Sequence, residues 1–91
     1  MIEAEAGQET REVRIKRLSM RSMRRGIKEM DILLSGYAAA NLAQMSDEGL
    51  TPYDRLLREN DQDLYQWVTG QVAAPEPFHA LIDEISRTYE K

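Results

Sequence analysis

His79 is the only histidine in the 91-residue chain, and there is no cysteine. A metal would therefore have to be held mostly by carboxylates, and a surface or partly packed histidine is the expected role. Glu59, Asp61 and Asp63 alternate like the first ligands of a calcium loop, yet no glycine follows at the sixth position and no glutamate at the twelfth. They read as helix caps. Asp83-Glu84 and Asp47-Glu48 are adjacent in sequence, so each pair points to different helix sectors and makes a poor general acid and base. There is no Ser/His/Asp set, glycine-rich phosphate loop or nucleotide fingerprint. These residues predict a binding protein that has no catalytic, metal or cofactor site of its own.

One cluster remains, Met23-Arg24-Arg25-Gly26-Ile27-Lys28-Glu29-Met30-Asp31. If a helix begins near Arg25, then Arg25 and Glu29 stand four apart on one face, and Gly26 leaves bare backbone beside the guanidinium. That suits docking, because a partner's backbone can approach over Gly26 while Arg25 takes a carboxylate or carbonyl in forked geometry. The plainer alternative is that Gly26 ends the preceding helix in a left-handed turn. Arg25 and Glu29 would then form a surface ion pair worth a few tenths of a kcal/mol.

The elements that must carry this cluster can be traced along the chain. Residues 1–9 read as a flexible polar tail and 10–91 as a single helical domain. Thr10 can cap a helix running to about Met23, whose apolar positions are scattered among arginines. A second helix spans Ile27 to Met45, with Met30, Leu33, Leu34, Tyr37 and Ala38 on one face. Ser46-Asp47-Glu48-Gly49 reads as a break. Thr51-Pro52-Tyr53-Asp54 then reads as cap, first-turn proline and capping box for a short helix ending near Glu59. Asn60-Asp61 caps a fourth helix through Leu64, Trp67 and Val68, which Gly70 ends. Phe78, Leu81, Ile82, Ile85 and Tyr89 form the stripe of a last helix from about Glu76. The expected fold is all-α, a compact five-helix bundle packed around Leu33, Leu34, Leu56, Leu57, Leu64, Trp67, Leu81, Ile82 and Ile85. Tyr65 lies off the Trp67 stripe and is expected nearer the surface.

Composition narrows the partner class. Hydrophobic content of 42% and charged content of 31% exclude a wholly disordered chain. No apolar run reaches the roughly 20 residues of a bilayer span, so membrane insertion is not expected. The first ten residues carry three glutamates and no basic residue, unlike a signal or transit peptide, which predicts a cytoplasmic protein, bacterial in type. Charge is uneven. Residues 1–45 hold eight Lys/Arg against six Asp/Glu, and residues 46–91 hold four against ten. The acidic second half argues against a general nucleic-acid binder. The basic segment from Arg11 to Lys28 nevertheless sustains a rival reading, a binder of nucleic acid or another acidic surface.

The stretch Arg24-Arg25-Gly26-Ile27-Lys28-Glu29-Met30-Asp31-Ile32-Leu33-Leu34 resembles the RGxxE signature of the SdhE family, assembly factors for the flavoprotein subunit of succinate dehydrogenase. A second block, Leu56 to Gly70, resembles that family's later segment containing D-x-D-L-[FY]-x-W. The resemblance spans roughly residues 17 to 90. It implies a five-helix protein, monomeric when free, that binds the flavoprotein subunit and promotes covalent attachment of FAD to a histidine of that subunit. The flavin would belong to the client, with no stably bound cofactor here. By the same inference the fumarate reductase flavoprotein is a second client. The matched signature positions are Arg25, Gly26 and Glu29, adjoined by Arg24 and Asp31, and these five are the expected partner-binding residues.

Overall fold

The computed structural model describes residues 9–89, with Tyr89 described by its backbone only. Of the tail expected to be flexible, residues 1–8 lie outside the described residues, as do residues 90 and 91. Five α-helices follow in order: α1 (Arg11–Arg21), α2 (Lys28–Asn41), α3 (Asp47–Leu56), α4 (Asp61–Val68) and α5 (His79–Tyr89). Short 3-10 turns at Leu42–Gln44 and Glu76–Phe78 extend α2 and lead into α5. No strand occurs among the described residues. The expected all-α, five-helix architecture is present.

Helix α2 is the hub, packing against α1, α4 and α5. Its buried residues Met30, Leu33, Leu34, Tyr37 and Ala38 recur at helical spacing, so one face is apolar over two turns. Leu64 and Val68 of α4 and Ile82 and Ile85 of α5 complete the core, with Leu42, Leu50, Tyr53, Leu56, Leu57 and Phe78. Trp67 and Leu81 are partly buried at its margin rather than within it. The Trp67 and Phe78 rings stack there, with centroids 6.0 Å apart. Tyr65 also packs partly against the core, so it is less exposed than its position off the stripe suggested.

Local capping explains most of the boundaries. Thr10 Oγ1 accepts the Val13 N–H at 3.1 Å and starts α1, and Asn60 Oδ1 accepts the Gln62 N–H at 2.8 Å and starts α4. Gly70, with φ +83°, closes α4 in the left-handed conformation that a side chain resists.

Helix α3 departs from the sequence expectation. It begins four residues before Thr51, with Ser46 as cap: Ser46 Oγ accepts the Gly49 N–H at 3.1 Å, and Asp47 and Glu48 occupy the acidic first turn. Pro52 therefore lies inside the helix, where it cannot donate to the carbonyl one turn back, a loss of about 3 kcal/mol in an ordinary helix interior. Burial outweighs that cost. Leu50, Tyr53 and Leu56 are each fully buried, and full burial of a large apolar side chain contributes roughly 1.5–3 kcal/mol.

Helix α1 is held differently. Leu18 is its one buried residue among those described, while Val13 and Met20 are 53% and 65% exposed. Its arginines supply the attachment. Arg17 bonds to Glu9 at 2.7 Å and to Asp54 of α3 at 2.9 Å. Arg11 reaches Asp47 at 3.1 Å and the carbonyls of Ala43 and Met45, and Arg14 donates to Thr51 Oγ1 at 3.0 Å. The hydrogen bonds from Arg17 hold the Glu9 and Asp54 carboxyls below their ordinary values, and the same bonds raise Arg17.

Candidate functional site

The connection between α1 and α2 contains Arg24, Arg25 and Gly26. Helix α1 closes at Ser22, a fully buried polar residue whose Oγ donates to Leu18 O at 2.8 Å and meets Tyr53 OH at 2.6 Å. Arg24 then adopts φ 57°, in the left-handed region. It is Arg24, not Gly26, that turns the chain there. Helix α2 starts at Lys28, after Ile27 in an extended conformation, so Arg25 lies before the helix.

That placement corrects the expected geometry of the signature. Arg25 and Glu29 do not share a helix face, and no Arg25–Glu29 ion pair forms, because the Arg25 guanidinium turns inward to Asp61 at the start of α4. Its Nε donates to Asp61 Oδ1 at 2.9 Å and its Nη2 approaches the same oxygen at 2.7 Å. Its Nη1 donates to Arg21 O at 2.8 Å and to Leu57 O at 3.2 Å. The Arg25 side chain is only 10% exposed and that of Asp61 15%, so the fork is already occupied within the chain. Asp61 Oδ2 also accepts the N–H of Gly26. One carboxylate thus binds both the second arginine and the glycine of the signature.

The other signature positions point elsewhere. Arg24, Gly26 and Glu29 are exposed, and Asp31 is half-buried with its Oδ1 accepting the Ser35 hydroxyl at 3.3 Å. A shallow depression lined by Arg21, Met23, Arg24, Arg25, Gly26 and Asp61 surrounds the connection. A second, mostly apolar groove along α2 is lined by Glu29, Ile32, Leu33, Gly36 and Thr88, and Ile32 is 65% exposed. His79 and Asp83 lie on neither, lining a separate depression with Trp67 and Thr69 between α4 and α5.

Asp61 is the site residue that sequence reasoning missed. Its position suggests capping, but Asn60 caps α4, which leaves the Asp61 carboxylate free to face Arg25. A contact 36 residues away leaves no spacing pattern in the sequence. The basic helix is also better explained: Arg11, Arg14 and Arg17 bond to other parts of the chain, which weakens the rival reading of a phosphate-binding face.

The signature loop of this small helical domain is thus pinned from within by Asp61, while Arg24 and Gly26 within it and Ile32 on α2 are exposed. Residues 16–89 match the family described as "Flavinator of succinate dehydrogenase", and the chain belongs to that family. It is 49% identical over 84 residues to succinate dehydrogenase assembly factor 2, mitochondrial, of Meyerozyma guilliermondii, covering 91% of this chain and 62% of that protein. The proteins of the same name from Aspergillus terreus and Candida glabrata are 42% identical over 86 residues and 55% identical over 53. These matches cover 94% and 58% of this chain, and 28% and 35% of those proteins. The chain thus spans less than two-thirds of the length of these curated relatives. The expectation of a cytoplasmic protein is corrected by these names, which point to mitochondria. An acidic, Arg-free stretch before the fold could not decide the compartment, because targeting segments are read separately from the folded domain.

Proposed function

We infer that this chain docks on the flavoprotein subunit of succinate dehydrogenase and promotes covalent attachment of FAD to a histidine of that subunit. Family membership supports the process. The observation that carries the surface is the exposed backbone of Gly26, held rigidly by Asp61 between the outward-facing Arg24 and Glu29. A preformed, rigid contact loses little freedom on association, so more of its interaction energy appears as affinity.

In this reading Arg24, Gly26 and Glu29 touch the client, Arg25 holds the loop, and Asp31 steadies the first turns of α2. Ile32 and the apolar groove extend the contact along α2. The chain supplies neither acid nor base. It favours the client conformation in which flavin and acceptor histidine are aligned, so its contribution is one of positioning and population shift. The flavoprotein of fumarate reductase fits the same role as a second client.

The test is in-gel flavin fluorescence of the denatured flavoprotein subunit from cells lacking this protein. Wild type should restore covalent flavin, and Glu29→Lys should not. Glu29 is chosen over Gly26 because it is exposed and lies outside the Arg25–Asp61 contact, so its loss reports on docking alone. Full covalent flavin in the absence of this protein would overturn the reading.

A further inference from the structure

We propose that Asp61 is the positioning residue of the docking loop, and that position 26 is glycine because of Asp61 rather than because of the client. This rests on the docking role inferred above. The two oxygens of Asp61 divide the work: Oδ1 holds the Arg25 guanidinium and Oδ2 holds the Gly26 amide. Arg25 in turn ties the end of α1, through Arg21 O, to the end of α3, through Leu57 O. A single carboxylate at the start of α4 therefore fixes the loop relative to three helices.

The space at position 26 gives independent support. A Cβ there would stand 3.3 Å from Asp61 Oδ2, closer than ordinary van der Waals contact, and that oxygen could yield only by loosening its bond to the Gly26 amide. Gly36, exposed on α2, shows the contrast: a Cβ there meets nothing within 4 Å. Asp61 is also spare for helix capping, since Asn60 already serves α4. The carboxylate is thus committed to the loop, and Arg24 is held in its left-handed conformation between the end of α1 and this anchor. Met23, 46% exposed, and Arg24 are the side chains left facing outward.

Two measurements on the full chain test this. In the free protein, solvent-exchange NMR should show the Gly26 amide exchanging roughly ten- to a hundredfold more slowly in wild type than in Asp61→Ala, as expected for a hydrogen bond to a charged acceptor. Equal rates would overturn the proposal. The second measurement is a double-mutant cycle on the dissociation constant for the purified flavoprotein subunit, using Gly26→Ala, Asp61→Ala and the double variant, each verified as folded by circular dichroism. If Gly26 is needed because of Asp61, the double variant should bind no more weakly than the weaker single one. Losses that multiply would overturn the proposal and show that the client, not Asp61, is what excludes a side chain at position 26. If Asp61→Ala does not fold, Asp61→Ser, whose shorter side chain also removes the carboxylate from both Arg25 and position 26, replaces it in both measurements, with the same outcomes. Wild type that fails to bind the subunit would overturn the docking function. Slow Gly26 exchange that depends on Asp61 would in that case still establish the anchor.

Discussion

Ser22 Oγ and Tyr53 OH meet at 2.6 Å in the core, where α1 ends against α3. Ser22 has one hydroxyl hydrogen, and it goes to Leu18 O, so Tyr53 is the donor in the Ser22–Tyr53 bond. Tyr53→Phe removes that donor and leaves Ser22 with its backbone partner, for an expected cost of about 1 kcal/mol. Ser22→Ala instead strands a buried phenol, at about 1–3 kcal/mol. Urea unfolding should therefore rank Ser22→Ala as the more damaging change, and the reverse order would mean that Tyr53 finds another partner.

The same phenol sets an alkaline limit. Burial, the largest cause, pushes Tyr53 up to about 12, and it raises Tyr37 as well, whose OH also bonds to Glu84 at 3.1 Å. The folded state therefore keeps protons that the unfolded state releases near the ordinary value of 10.0. The stabilisation is complete below pH 10 and is lost as pH rises toward 12. Chemical unfolding midpoints should fall steeply between these values, and less steeply in Tyr53→Phe. Parallel declines in the two proteins would contradict this account.

At acid pH the controlling contact is Arg17 with Glu9 and Asp54. Both carboxyls lie below their ordinary values of 4.5 and 3.8, chiefly through hydrogen bonds from Arg17. Their contribution is present above those values and disappears as pH falls through the lower folded-state values. Arg17→Met should be less stable than wild type at pH 6, and the difference should shrink at pH 3. A difference that persists at pH 3 would show that Arg17 acts through packing of its stem.

Gly36 lies in the interior of α2 without a packing reason to be glycine, since a Cβ there would meet nothing within 4 Å. Gly36→Ala should stabilise the free protein by about 0.5–1 kcal/mol, which for a domain of this size is a rise in Tm of a few degrees. An unchanged or lower Tm would mean that the backbone at Gly36 is less regular than the helix implies.

What the sequence made legible was local. Thr10, Asn60 and Gly70 mark helix ends because capping acts over two or three residues, and the stripes of α2 and α5 repeat at helical spacing. The start of α3 was misplaced because Pro52 is a strong cue for a first turn, whereas the burial of Leu50 and Tyr53 that overrides it is a tertiary effect. Long-range pairing was not legible. In the sequence the arginines of α1 sustain a rival reading as a surface for acidic partners, whereas in the fold Asp47 and Asp54 of α3 bond to Arg11 and Arg17. Arg25 read as an open fork until Asp61 was seen to close it. The signature positions are legible in the sequence, but that Arg25 turns inward to Asp61 while Arg24, Gly26 and Glu29 are exposed required the fold.

Reconstitution tests the flavinylation role most directly. Purified flavoprotein subunit lacking flavin is incubated with FAD, with and without this chain, and covalent flavin is read by in-gel fluorescence after denaturation. Wild type should accelerate covalent attachment, and folded Glu29→Lys should not. Equal covalent flavin with and without the chain would contradict that role.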